Sequence, residues 1–137
     1  MTKDMCKELF REQKCCVIIP TYNNNQTIKQ VVNDVPEYTD QVIVVNDGST
    51  DDTQDIISKI EGIDIVTYPK NKGKGYALRQ GFKFAWEKAY EYAITIDSDG
   101  QHFASDLPTF VEAIETHPKA IIIGNRNMEQ DGIPGKS

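Results

Sequence analysis

The stretch "YAITIDSDGQH", residues 92–102, decides how the chain is read. A short apolar run, Tyr92 to Ile96, breaks off into Asp97-Ser98-Asp99-Gly100 and then Gln101 and His102. An apolar run of this length, bounded by turn residues, has the pattern of a buried strand. Two carboxylates so close together at its end repel each other and resist desolvation, unless solvent screens them or a cation sits between them. On extended backbone, residues i and i+2 point to the same side, so Asp97 and Asp99 can face one cation together. Oxygen ligands suit Mg²⁺ or Mn²⁺, shared with phosphate groups. An Asp-rich turn capping a helix is the competing reading. An EF-hand loop does not fit, because its sixth position would be His102 rather than Gly and its twelfth Pro108.

Working outward, four more runs of the same kind appear: "CCVII" (15–19), "QVIVV" (41–45), "IDIVTY" (63–68) and "AIIIG" (120–124). All are rich in β-branched residues and read as apolar on both faces, as strands of a parallel sheet are. Helical patterns lie between them, over 26–34, 51–60, 75–90 and about 106–116. The second opens on Ser49-Thr50-Asp51-Asp52, a good capping cluster. In the third, Leu78, Phe82, Ala85 and Ala89 define the expected inward face. The fourth tolerates Pro108 in its first turn. Strand and helix in alternation predict right-handed βαβ units. The fold class is therefore α/β, a Rossmann-like three-layer α/β/α arrangement around a mostly parallel sheet.

With 137 residues, 39% hydrophobic and 26% charged, the chain has the size and composition of one soluble domain. A net charge of −6 argues against a general nucleic-acid binder. No apolar run approaches the roughly 20 residues of a membrane span. The opening "MTKDMCKELFREQK" is too charged for a signal peptide and predicts a short amphipathic helix through Met5, Leu9 and Phe10. Residues 1–14 are thus read as an N-terminal extension and 15–137 as the domain. Cys6, Cys15 and Cys16 form no CxxC pair and read as reduced, partly buried thiols of a cytosolic protein.

Polar and Gly-rich chemistry follows every strand: "PTYNNN", "NDGSTDD", "PKNKGKG", "DSDGQH" and "NRN". Open α/β sheets bind ligands at these carboxyl ends. In "NDGS", Asp47 is either part of a plain turn or a carboxylate for a ribose or base. "NKGKG" at 71–75 sets lysines between glycines at a helix start, where N–H groups and the dipole favour an anion. Loop flexibility is its plain alternative, and the third Gly of a dinucleotide fingerprint would fall on Leu78. "GIPGKS" is no P-loop, since its first Gly would have to be Gln130. Arg126 in "GNRN" suits phosphate oxygens, or is a solvated surface residue. His102 and His117 complete no catalytic or zinc spacing.

In order, "VIIPTYNNNQTI", "VIVVNDGSTDDT", "NKGKGYALRQGF", "TIDSDGQH" and "IIGNRN" closely resemble family 2 glycosyltransferases of the GT-A fold. The nearest subgroup makes dolichyl- or polyprenyl-phosphate sugars. The resemblance runs from about residue 15 to 134. It implies that Pro20, Thr21, Tyr22 and Asn23 line a nucleotide pocket and that Asp47 binds base or ribose. Lys74, Gly75 and Arg79 would sit near the nucleotide and its phosphates. Asp97, Ser98, Asp99 and Gln101 would form the metal and nucleotide-sugar diphosphate site, with Mg²⁺ or Mn²⁺ on Asp97, Asp99 and Gln101. Arg126 would meet phosphate charge of donor or acceptor.

The activity implied is inverting transfer from a UDP- or GDP-sugar to a polyprenyl or dolichyl phosphate. Transfer to a saccharide hydroxyl, and a donor-binding fragment without turnover, are the alternatives. A sugar-phosphate nucleotidyltransferase would carry a Gly-rich, Arg-containing loop after the first strand, where this chain has "PTYNNN". Family members usually continue well past the GxR segment, here Gly124-Asn125-Arg126. The expectation is accordingly a domain cut short at its C-terminus, with the acceptor part and any peripheral membrane contact supplied by segments beyond it. The resemblance implies a cytoplasmic location, at the cytoplasmic face of a membrane for the longer protein.

Overall fold

A computed structural model describes residues 1–97, 104–116 and 122–123. Five strands form one sheet: β1 (Cys15–Thr21), β2 (Val42–Asp47), β3 (Asp64–Tyr68), β4 (Tyr92–Thr95) and β5 (Ile122–Ile123). Their order is β3-β2-β1-β4-β5, and all the described pairings are parallel. The chain steps from β1 outward to β3, then crosses back to lay β4 on the other side of β1. That reversal creates a switch point between β1 and β4, where doubly wound sheets open a crevice.

The helices are α1 (Lys3–Gln13), α2 (Asn25–Asp34), α3 (Thr53–Ser58), α4 (Lys74–Glu87) and α5 (Leu107–Thr116). Strand alternation sorts the core into two layers. Cys15, Val17 and Ile19 of β1, with Val42 and Val44 of β2, face a thick apolar layer built by α1, α2, α3 and α5. Cys16, Ile18, Ile43 and Val45 face the opposite way, onto Ala77 and Ala85 of α4. The result is the expected α/β/α sandwich. β3 departs from the expectation of burial on both faces: it is an edge strand and only half-buried.

Two helix faces also differ from the sequence reading. The inward stripe of α4 is Ala77, Gly81 and Ala85, while Phe82 is 40% exposed. A Cβ on Gly81 would lie 2.6 Å from Cγ2 of Ile18, so small residues are what allow this close approach. Ala89 lies past the helix in the left-handed region, at φ 66°. In α1, Met5 is 55% exposed and Cys6 takes the inward position with Phe10. All three thiols are free and fully buried rather than partly so. Burial pushes the Cys6 thiol up to about 11 and the Cys16 thiol up to about 12.

Candidate functional site

The parity that builds the core also builds the site. Position 43 and 45 side chains of β2 face α4, so Asp47, two residues on, faces the same way. Cys16 and Ile18 put Pro20 on that face, and Ala93 does the same for Asp97. Backbone pairing carries β4 beyond its last strand residue, with Ile96 N–H donating to the Ile18 carbonyl at 3.1 Å. Three strand ends and the first turn of α4 therefore meet around a cleft of about 320 Å³. Pro20, Thr21 and Tyr22 line it together with Asp47, Asn71, Lys74 and Asp97.

Asp47 is the most constrained group here, 3% exposed. Its Oδ1 accepts from the Lys72 backbone N–H at 2.8 Å, and its Oδ2 from Asn71 Nδ2 at 2.8 Å and the Gly73 N–H at 3.0 Å. A carboxylate offers about four acceptor positions, so these bonds leave about one open to a ligand. Burial, followed by the neighbouring Asp47 carboxylate, holds the Tyr68 phenol above its ordinary value. "NDGS" is thus a turn and a carboxylate site together. Gly48 sits at φ 67°, and a Cβ there would meet Asn71 N at 2.2 Å. The 69–73 loop can lie on this turn only because residue 48 has no side chain.

Asp97 is held differently. Its carboxylate, with the side chain 22% exposed, pairs with Lys74 Nζ at 2.5 Å. Lys74 opens α4, whose N-cap is Gly73 at φ 95°. The helix N-terminus and an ammonium group therefore border the cleft, a setting that favours anions. Thr21 lines the cleft, although strand alternation sets its side chain on the side opposite Pro20, and among the described residues its buried hydroxyl has no hydrogen-bond partner. Such a group is costly unless a ligand or water completes it.

Other expected site residues are placed as follows. Tyr22 is exposed at the cleft rim. Asn23, at φ 51°, turns away from the cleft and staples the β1 and β2 loops together. Its Oδ1 accepts from the Thr50 N–H at 2.7 Å, and its N–H donates to Ser49 Oγ at 2.9 Å. Asn24 lines the cleft instead. Gly75 is exposed in the first turn of α4, and Arg79 is exposed and is not among the cleft-lining residues. Ser98, Asp99, Gln101 and Arg126 lie outside the described residues. Asn24, Asn71 and Ala77 were not singled out by the sequence; Asn71 stood within the quoted "NKGKG", but its bond to Asp47 is made across a gap no local pattern signals.

The family model described as Glycosyl transferase family 2 matches residues 16–136. The chain belongs to glycosyl transferase family 2. Within that family it is similar to the UDP-N-acetylglucosamine–dolichyl-phosphate N-acetylglucosaminyltransferase of Methanococcus voltae, 32% identical over 127 residues, covering 80% of this chain and 51% of that protein. It is also similar to the dolichyl-phosphate beta-glucosyltransferase of Saccharomyces cerevisiae, 30% identical over 136 residues, covering 80% of this chain and 40% of that protein. Among solved structures it matches glucosyl-3-phosphoglycerate synthase of Mycobacterium tuberculosis in complex with Mn²⁺, UDP and glucosyl-3-phosphoglycerate. That likeness has a TM-score of 0.60 at 25% identity, covering 88% of this chain and 45% of that one. The chain spans about half or less of the length of these glycosyltransferase relatives.

Among the described residues, no three His, Cys, Asp or Glu side chains converge to hold a metal ion. Asp97 nonetheless has the right chemistry for a hard cation: a part-exposed carboxylate at the cleft, already drawing an ammonium to 2.5 Å. No helix among the described residues is long and apolar enough to cross a membrane.

Proposed function

We propose that this domain binds a nucleotide-sugar and transfers its sugar, with inversion, to a polyprenyl or dolichyl phosphate. The observation that carries the reading is the cleft itself, where a hydrogen-bonded Asp47 and the Lys74–Asp97 pair face one space that Thr21 also lines. Asp47 and Thr21 would take the nucleoside, whose hydroxyls and N–H groups complement a carboxylate and a hydroxyl. Lys74 and the first turn of α4 would take the diphosphate. When the diphosphate draws Lys74 away, Asp97 is released as an oxygen ligand, with Asp99 and Gln101 as its partners in the metal site. A divalent cation bound there would offset the charge that develops on the leaving nucleoside diphosphate.

The sugar's anomeric carbon would then be attacked from the face opposite the departing diphosphate. A lipid phosphate is already anionic, so such an acceptor needs no general base. Arg126 is proposed to meet phosphate charge of the donor or acceptor. Names of similar proteins support the lipid-phosphate acceptor, since two of them act on dolichyl phosphate. A hydroxyl acceptor is the second reading, favoured by the likeness to glucosyl-3-phosphoglycerate synthase. We further propose residues 15–137 as the donor-binding domain, working on the cytoplasmic side.

The test is a transfer assay with labelled UDP- and GDP-sugars, offering polyprenyl phosphate, dolichyl phosphate and 3-phosphoglycerate as acceptors. Label in the lipid phase with inverted anomeric configuration supports the first reading. Label only on phosphoglycerate moves the assignment to the second, and binding without transfer leaves a donor-binding module.

A further inference from the structure

α4 carries chemistry that the cleft does not use. Its inward side is small, with Ala77, Gly81 and Ala85 against the sheet. Arg79, Phe82, Lys83 and Trp86 stand at i, i+3, i+4 and i+7 and therefore share one stripe on the other side. All four are exposed, and Trp86 is 81% exposed. Alongside runs a mostly apolar groove of about 250 Å³, where Phe82 and Trp86 meet Tyr90, Tyr92 and Ala93, with Glu91 the one charged side chain lining it among the described residues.

Charge singles out the same region. The stripe itself carries two basic side chains, Arg79 and Lys83, and no acidic one, with Lys88 and Glu87 at the end of the helix and Glu91 at the groove. The stripe is thus locally cationic in a chain whose net charge is −6. An amphipathic ring held in water, flanked by cations, is the pattern of a surface that rests at a headgroup boundary.

We propose that the outer face of α4 docks the protein on an anionic bilayer, with Trp86 and Phe82 inserted at the interface. Charge complementarity selects this occupant: cationic side chains are attracted to anionic lipid within a Debye length. A second copy placed symmetrically on the same stripe would set like charges against each other. Docking would also keep the cleft close to the membrane. Lys74 borders the cleft at the start of α4, and a helix of 14 residues is about 21 Å long. The membrane contact is read from α4 itself; only its purpose, reaching a lipid-phosphate acceptor, rests on the proposed function.

Trp86 is the only tryptophan in the chain, so its fluorescence reports this face alone. The experiment titrates the 137-residue chain with vesicles of phosphatidylcholine, with and without phosphatidylglycerol, following Trp86 emission and co-sedimentation at low and high salt. The expected result is a blue shift and co-sedimentation with phosphatidylglycerol vesicles only, weakened by salt. Lys83→Glu should lower partitioning about tenfold, and Trp86→Ala should lower co-sedimentation while leaving nucleotide affinity unchanged. No co-sedimentation, or co-sedimentation without a change in Trp86 emission, overturns the proposal. So does concentration-dependent self-association that Trp86→Ala abolishes, which would assign the face to a second copy. Nucleotide binding measured on the same samples keeps the two readings apart: vesicle binding without it removes the proposed function and leaves this inference standing.

Discussion

Asp47 and Asp97 face the same cleft from strands on either side of β1, and the fold treats them in opposite ways. Asp47 is 3% exposed and accepts three hydrogen bonds from the 71–73 segment. Asp97 is partly exposed and, among the described residues, pairs with an ammonium on a flexible stem. One side of the cleft is finished when the chain folds, and the other is held by a contact that a ligand can exchange. The proposed nucleoside end meets the finished side, so its ordering cost falls on folding rather than on binding. The proposed diphosphate end meets the adjustable side, where charge must move during turnover.

The contrast is open to attack by substitution. Gly48→Ala should have the largest effect, because its Cβ would run into Asn71 N and Lys70 C at a backbone φ of 67°. The 69–73 loop must lift, and we expect a loss of at least about 2 kcal/mol in urea unfolding together with weakened nucleotide binding. Wild-type stability would show that the loop is not seated on this turn. Asp47→Asn comes next. Its amide sets a donor against donors, costing about 1–3 kcal/mol, and nucleotide affinity should fall even in chelator. Unchanged stability would mean that the bonds from Asn71, Lys72 and Gly73 hold nothing.

Asp97→Asn should separate the two sides cleanly. Loss of one part-exposed ion pair costs at most about 1 kcal/mol, yet metal-dependent nucleotide binding should disappear. A large stability loss would mean Asp97 is as structural as Asp47. Lys74→Met sharpens the point further: calorimetric Mn²⁺ affinity without nucleotide should rise severalfold, while affinity for a nucleoside diphosphate falls. If both fall together, Lys74 does not compete for Asp97.

A contrast that is silent at neutral pH sets the cleft against the interior. Cys6 and Cys16 are raised from 9.0 to about 11 and about 12 in the folded state. A raised folded value gives stability that is whole below the unfolded value and is lost as pH rises through the folded one. Urea midpoints should therefore decline between about pH 9 and 12, and native thiols should resist alkylation at pH 8. Fast alkylation of the native protein would contradict the burial.

The β strands and the parallel sheet were legible because β1 from Cys15 to Pro20 and β2 from Val42 to Val45 are apolar on both faces, as strands of a covered parallel sheet are. The α4 face was read in part: Ala85 is inward and Leu78 packs against the core, but Phe82 is exposed, because the sheet selects for size and takes Ala77 and Gly81. Among site residues, Asp47, Lys74 and Asp97 could be placed from strand ends and glycines alone. Asn23 could not: its amide is spent on the 49–51 loop, 26 to 28 residues away in sequence, a contact no local pattern encodes. Asn71 was hidden for the same reason, since its partner is Asp47.

The central claim is that this cleft holds a nucleotide-sugar between a prebuilt carboxylate and an exchangeable one. The most direct measurement is calorimetric titration of wild type, Asp47→Asn and Asp97→Asn with UDP-, GDP- and dTDP-sugars, each in Mn²⁺ and in EDTA. The expected result is binding of one nucleotide class, strengthened by Mn²⁺ in wild type. Asp97→Asn should reduce it to the EDTA level, and Asp47→Asn should weaken it in both conditions. Absence of binding for every nucleotide, or equal affinities in Mn²⁺ and EDTA with both variants unchanged, would contradict it.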